Sequence, residues 1–346
     1  MHTEYVSLDS SQPDIRILAQ AADILRRGGL VAFPTETVYG LGANGLDPHA
    51  VAGIFAAKGR PVDNPLILHI ADCREVAKLV RLVPANARVL METYWPGPLT
   101  LVMERTKAVP DAATGGLDTV AIRLPDSLVA RELIKLAGVP LAAPSANTSG
   151  RPSPTTAQDV LADLDGKIDM VIDAGPCNIG VESTVVDCTT PVPTLLRPGG
   201  ITLEMLLETL GEVEVDPGLG GAAIPRSPGM KYTHYAPAAP LILLEGEYPA
   251  QTKVLAEQIR KAQAEGKRVG AVVATETAVP EGVAAAVYGS RRHSEEIAAN
   301  LYNALRFFDT EPVDIIFAEG IEETGLGLAV MNRLRKAAGY RIIRCE

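Results

Sequence analysis

Lys58, Gly59 and Arg60 form a short cationic turn, with Asn64 just beyond it. Two fixed cations beside polar groups on irregular backbone suit a small anionic ligand better than a packed core. Basic residues solvated at the end of a helix are the plainer reading of the same segment. An arginine offers a planar fork that grips phosphate or carboxylate through two bonds, whereas a lysine offers a point charge. Further cations stand at Arg123, Arg151, Arg197 and Lys231, spread so widely that only the fold could gather them into one hollow. Uncharged groups accompany them. Thr35, Glu36 and Thr37 follow Pro34, His69 alternates with apolar neighbours, and Ser145-Ala146-Asn147 follows an apolar run. His69 reads equally as a ligand-facing imidazole or as a histidine satisfied in the core. Arg123 fits a substrate carboxylate or a salt bridge at a strand end. Thr37 and Ser183 are of the type that caps turns. Ser145-Ala146-Asn147 fits an Asx-type turn or a polar edge at the carboxyl end of a strand, where α/β sheets bind ligands. No G-x-S-x-G elbow or cysteine–histidine arrangement marks a nucleophile, so chemistry here would rest on positioning and charge neutralisation.

These residues need elements to hold them. Apolar runs bounded by Pro, Gly and Asx residues predict strands at 30–33, 66–70, 100–103, 120–124, 140–143, 170–173 and 184–187. Apolar spacings of three and four predict helices at 14–27, 48–58, 74–80, 85–94, 127–136, 156–164 and 203–210. Asp47 and Pro48 supply the cap and first position of the second helix. Between the first strand and that helix the chain reads as a hydroxyl-rich turn and a glycine-broken loop. Strand–helix alternation fails around 100–124, where a glycine-rich loop joins two strands, so the sheet is mixed. Residues 211–240 are dense in Gly, Pro and Ala without helical period, as in a linker or a lid. Beyond them, strands at 241–244, 269–274, 284–288, 313–318 and 341–344 interleave with helices at 251–264, 295–307 and 327–337. That pattern describes a small doubly wound parallel sheet. Gly325-Leu326-Gly327 lacks the third glycine of a dinucleotide fingerprint.

With 346 residues, 47% of them hydrophobic, the chain can build two cores. No apolar run approaches the roughly 20 residues of a membrane span, and the N-terminus does not read as a secretory leader. The four cysteines, Cys73, Cys177, Cys188 and Cys345, lack CxxC spacing and read as reduced thiols in a cytoplasmic protein. A net charge of −10 argues against stable nucleic-acid binding, because phosphate neutralisation supplies most of that affinity. A focused cationic cavity in an acidic protein fits a nucleotide triphosphate and a carboxylate instead.

The run from Gly29 to Ile70 resembles the signature of the YrdC-like family. So do Ser145-Ala146-Asn147, Glu182-Ser183-Thr184-Val185-Val186-Asp187, Arg197-Pro198-Gly199 and the block from Ser227 to Pro237. Long members of that family are L-threonylcarbamoyladenylate synthases. The resemblance implies an α/β fold in which an N-terminal YrdC-like mixed, twisted sheet with helices surrounds a concave basic cavity. A smaller C-terminal doubly wound, Rossmann-like domain completes it. The implied limits are 1–210 for the catalytic domain, 211–240 for a linker or active-site lid, and 241–346 for the C-terminal domain. The implied reaction joins L-threonine, bicarbonate and ATP into threonylcarbamoyl-AMP with release of pyrophosphate, for threonylcarbamoyladenosine (t6A) modification of tRNA beside the anticodon.

Carried over position by position, the resemblance implies threonine contacts at Thr37, His69, Arg123, the backbone of Ala143, and Ser183. It implies ATP contacts at Lys58, Arg60, Asn64, Thr119, Ser145, Asn147, Ser153, Arg197 and Tyr235, with Tyr232 the alternative cover for the nucleotide. Lys58 and Arg60 would position and neutralise the triphosphate. Magnesium would arrive with the ATP phosphates rather than on protein ligands. The product would pass to a tRNA threonylcarbamoyltransferase complex, with no membrane involved. The rival reading is an RNA-binding or ribosome-assembly module.

Overall fold

In the computed structural model, which describes residues 2–220 and 234–346, the first helix begins where Asp14 accepts a hydrogen bond from the Arg16 amide. This helix, α1 (Ile15–Arg26), buries Leu18, Ala21, Ala22 and Leu25 completely. The described residues fall into two units: 2–149 with 153–220, and 150–152 with 234–346. The lid expectation for Lys231 and Tyr232 lies outside the described residues.

Among the described residues of the first unit, eleven strands form one mixed sheet. They are β1 (Glu4–Ser7), β2 (Val31–Pro34), β3 (Tyr39–Asn44), β4 (Ile67–His69), β5 (Leu99–Glu104), β6 (Thr119–Arg123), β7 (Leu141–Ala142), β8 (Met170–Asp173), β9 (Thr184–Asp187), β10 (Thr194–Arg197) and β11 (Glu214–Val215). Their order is β1-β8-β2-β3-β7-β4-β6-β5-β9-β10-β11. Helices α2 (Pro48–Lys58), α3 (Val76–Leu79), α4 (Ala85–Tyr94), α5 (Asp111–Thr114), α6 (Leu128–Ala137), α7 (Ala157–Leu164) and α8 (Leu203–Leu210) complete the unit. Leu133 and Ile134 of α6 share a core with Leu18 and Leu25 of α1, and Val31, Phe33, Met170 and Ile172 of the sheet join them. Each such large side chain taken from water stabilises the fold by about 1.5–3 kcal/mol.

Three expectations change. The segment read as a glycine-broken loop is strand β3, antiparallel to β2. Its glycines serve packing: a Cβ on Gly42 would lie 2.7 Å from the Phe33 ring, and one on Gly40 would lie 3.5 Å from it. At 42 the aromatic ring leaves no room for a side chain unless it shifts, whereas at 40 the contact is an ordinary one. The edge strands β1 and β11, exposed along most of their length, also escape sequence reading, as does β10 beside the second edge. The helix expected at 74–80 starts instead as a 3₁₀ turn, Cys73–Glu75, fixed by a capping box between Asp72 and Glu75.

The second unit is a parallel five-stranded sheet of β12 (Leu241–Gly246), β13 (Val269–Ala274), β14 (Ala284–Gly289), β15 (Ile315–Glu319) and β16 (Ile342–Cys345), in the order β14-β13-β15-β12-β16. Helices α9 (Tyr248–Ala264), α10 (Ser294–Arg306) and α11 (Gly327–Ala337) connect and cover it. Pro249 in the first turn of α9 carries that helix to an earlier start than periodicity suggested. Within this unit Glu319 is fully buried, paired with Arg291 at 2.7 Å and with the Thr277 hydroxyl at 2.9 Å. Among the described residues no helix is long and apolar enough to cross a membrane.

Candidate active site

Side chains alternate along a strand, so His69 and Ile67 share one face of β4, and Arg123 and Ala121 share one face of β6. Parallel register places His69 opposite Arg123 and Ile67 opposite Ala121. On the next strand, antiparallel register sets Thr100 opposite Arg123. Ile67, Val102, Ala121, Val185 and Leu196 pack together as an apolar floor. At the end of that floor stand His69, Arg123, Thr100 and Ser183, all buried.

His69 is 3% exposed, with its ring edge-on to Phe33 at 6.5 Å. Burial, then the positive charges of Arg123 and Arg197, push its pKa down to about 3. At neutral pH the imidazole is therefore uncharged and presents one donor and one acceptor. Nδ1 faces the carbonyl of Ile67 at 3.3 Å. Thr100 stands opposite Arg123 and its hydroxyl meets Ser183, which Arg197 also bonds, so the two arginines flank one cluster.

Arg123 pairs with Glu36 at 2.6 Å, Nη2 donating to Oε1, and its Nε makes a long bond of 3.4 Å to the Gly97 carbonyl. Glu36 comes from the turn between β2 and β3. In that turn the Thr35 hydroxyl donates to the Val38 carbonyl at 2.6 Å, so the Thr37 hydroxyl, 2.8 Å away, donates to Thr35. Thr37 is fully buried and keeps its acceptor lone pairs for another partner. The amides of Ile179 and Gly180 hold the turn from outside, bonding the carbonyls of Glu36 and Thr37.

Ser183 precedes β9. Its hydroxyl lies 2.8 Å from Thr100 Oγ1, and Arg197 clamps its carbonyl through Nε at 3.0 Å and Nη2 at 2.8 Å. Gly199 makes this clamp possible. A Cβ there would meet the Glu182 carbonyl at 2.3 Å and the Thr184 amide at 2.4 Å, so the backbone following Arg197 passes against 182–184 only as glycine. Arg197, expected at the nucleotide, holds the Ser183 carbonyl in this structure.

A second cluster surrounds the end of α2. Asp47 caps that helix by accepting from the His49 amide, and Gly59 ends it in the left-handed region at φ 62°. Lys58 is 2% exposed, and its ammonium donates to the carbonyls of Ser145 and Asn147. The Ser145 hydroxyl bonds the Asn147 side chain at 2.5 Å. Arg60 reaches the carbonyls of Asn64 and Pro65 at 3.3 and 3.1 Å. Asn64 Oδ1 is buried with no hydrogen-bond partner, which leaves an acceptor for a ligand. Ser153 is buried against Glu182 at 2.5 Å. Thr119 sits half-buried at the start of β6 beside Pro65 and Leu117. The Ala143 amide bonds the Ile67 carbonyl at 3.0 Å, so this backbone adjoins the His69 strand. In the second unit, Tyr235 takes φ 64° and packs its ring 5.3 Å from Tyr302 and 5.6 Å from His234.

A family model described as "Telomere recombination", Sua5/YciO/YrdC, matches residues 23–199. The chain belongs to this family. A further Sua5 model, "Threonylcarbamoyl-AMP synthase, C-terminal domain", matches residues 201–339. Among similar members of the Sua5/YciO/YrdC family is the Threonylcarbamoyl-AMP synthase of Pyrococcus abyssi. It is 52% identical over 326 residues, covering 94% of this chain and 94% of that protein. The Bacillus subtilis protein of the same name is 51% identical over 343 residues, covering 97% and 96%. The crystal structure of P. abyssi Sua5 complexed with L-threonine superposes with a TM-score of 0.95 at 49% identity, covering 99% of this chain and 100% of that one.

Glu36 and Thr100 lie in this cluster beside Arg123, and neither was among the contacts expected from the sequence. Thr100 interrupts an otherwise apolar strand, a signal that becomes meaningful only once register sets it against Arg123.

Proposed function

We propose that this chain joins L-threonine, bicarbonate and ATP into L-threonylcarbamoyl-AMP, releasing pyrophosphate, and so acts as a nucleotidyltransferase. The carrying observation is the single sheet face on which an uncharged histidine, a buried guanidinium and an oriented serine meet. The relatives named Threonylcarbamoyl-AMP synthase, and the similar structure complexed with L-threonine, support the same reading.

Arg123 receives the threonine carboxylate on the part of its fork that Glu36 leaves open. His69 and Thr37 meet the side-chain hydroxyl, and Ser183 and the Ala143 backbone close the pocket. The amine loses a proton and attacks the bicarbonate carbon, water departs, and the resulting carbamate carboxylate attacks the α-phosphorus as pyrophosphate leaves. Arg60 and the loop organised by Lys58 hold the triphosphate, with Asn64, Thr119, Ser145, Asn147, Ser153 and Arg197 as further nucleotide contacts. Magnesium would accompany the ATP phosphates rather than protein ligands, and would supply neutralisation of phosphate charge. Preorganised positioning of this kind contributes roughly 7–11 kcal/mol to lowering the barrier. In this reading the product serves t6A modification of tRNA in the cytoplasm, through a separate threonylcarbamoyltransferase. Pyrophosphate release from ATP, measured with threonine and bicarbonate each omitted in turn, tests it. Release that ignores either omission refutes the proposal.

A further inference from the structure

We infer that Glu36 receives the α-ammonium of the amino-acid substrate and thereby selects an amine-bearing acid at this site. The inference rests on the function proposed above and adds a residue to it. Glu36 Oε1 is taken by Arg123 at 2.6 Å, whereas Oε2 is buried and has no hydrogen-bond partner. A buried carboxylate oxygen left without a donor is costly, and in native structures it points to a missing partner. Neighbouring hydroxyls do not fill the need. Thr35 donates to the Val38 carbonyl and Thr37 donates to Thr35.

The complementary half of the pair is also incomplete, because Arg123 Nη1 makes no hydrogen bond among the described residues. An α-amino acid carries ammonium and carboxylate on one carbon, so it presents opposite charges side by side. Arg123 and Glu36 present the mirror arrangement side by side. With its carboxylate on Arg123, the substrate has its ammonium next to the adjoining carboxylate. The turn is fixed before binding, since the Ile179 amide holds the Glu36 carbonyl at 2.9 Å and the side chain is only 13% exposed. Little ordering is then left for the ligand to impose. The nearby Cys177 thiol, raised by burial, stays protonated and does not compete for this role.

Calorimetric titration of the full-length protein separates this from a structural role. The ligands are L-threonine and its des-amino analogue (R)-3-hydroxybutanoate, with ATP as the control. Wild-type protein should prefer threonine. Glu36→Gln should weaken threonine binding roughly 10- to 150-fold, bring the two acids to similar affinity, and leave ATP binding unchanged. Glu36→Asp, which keeps the charge, should retain the preference. If Glu36→Gln keeps wild-type affinity for threonine, or weakens both acids equally, the residue only steadies Arg123 and the inference fails. Wild-type protein that binds no threonine at all overturns the proposed function, a result visible before any variant is compared.

Discussion

Acidification from pH 6.5 to pH 5 is expected to remove about 2 kcal/mol of stability through His69 alone. The unfolded imidazole titrates near 6.5, and the folded one is held down to about 3 by burial and by the charges of Arg123 and Arg197. Because the folded value is the lower, the contribution is complete above pH 6.5 and is lost progressively as pH falls toward 3. Each unit in that window costs about 1.4 kcal/mol, and the span to pH 5 covers about one and a half units. Surface screening offers no relief, since the ring is 3% exposed. The chain has five histidines, so proton NMR resolves their ring signals, and the one missing from His69→Asn identifies residue 69. That signal should remain in its neutral position down to pH 5. Thermal melting of wild type and His69→Asn should converge with acid by the same free energy. A His69 resonance with its midpoint near 6.5 would show the ring to be solvated and unpressed by the arginines, and the proposed pocket would be lost with it.

Gly199→Ala should destabilise the fold by about 1–3 kcal/mol, because the new methyl meets only backbone. It should also weaken threonine binding more than ATP binding, as read by melting and titration together. Serine lacks one methyl of threonine and should be a poor but detectable substrate, disfavoured by roughly 1–3 kcal/mol in kcat/KM; equal turnover of the two contradicts the pocket. Glu319→Ala takes the buried carboxylate from the part-buried Arg291 and from the Thr277 hydroxyl and should cost about 1–3 kcal/mol. A scanning calorimetry trace that does not move would mean the pair contributes nothing to the second unit.

Much of the architecture could be read from residue order. Asp47 and Pro48 start α2 and Gly59 ends it at the residues expected, because caps act locally. The parallel sheet of the second unit follows from its spaced apolar runs. What stayed hidden depended on contacts distant in sequence. β3 looks like loop material until Phe33 is seen lying across Gly40 and Gly42. The bond from Arg197 to the Ser183 carbonyl depends on strand pairing and on Gly199, which local sequence does not reveal. Glu36 is a plain acidic residue in a turn until burial strips one oxygen of any donor. Such roles belong to register and burial, which neighbouring residues do not encode.

Phe33 touches two things at once. One side of its ring rests on the bare backbone at 40 and 42, and its edge meets the imidazole of His69. The ring therefore acts as a wedge whose thickness sets how far the histidine stands from the strand behind it. Adding one methyl group at position 42 would tilt the wedge and carry the disturbance to the imidazole. The tolerance of this pocket to mutation is consequently set in part from behind, by side chains that must not exist.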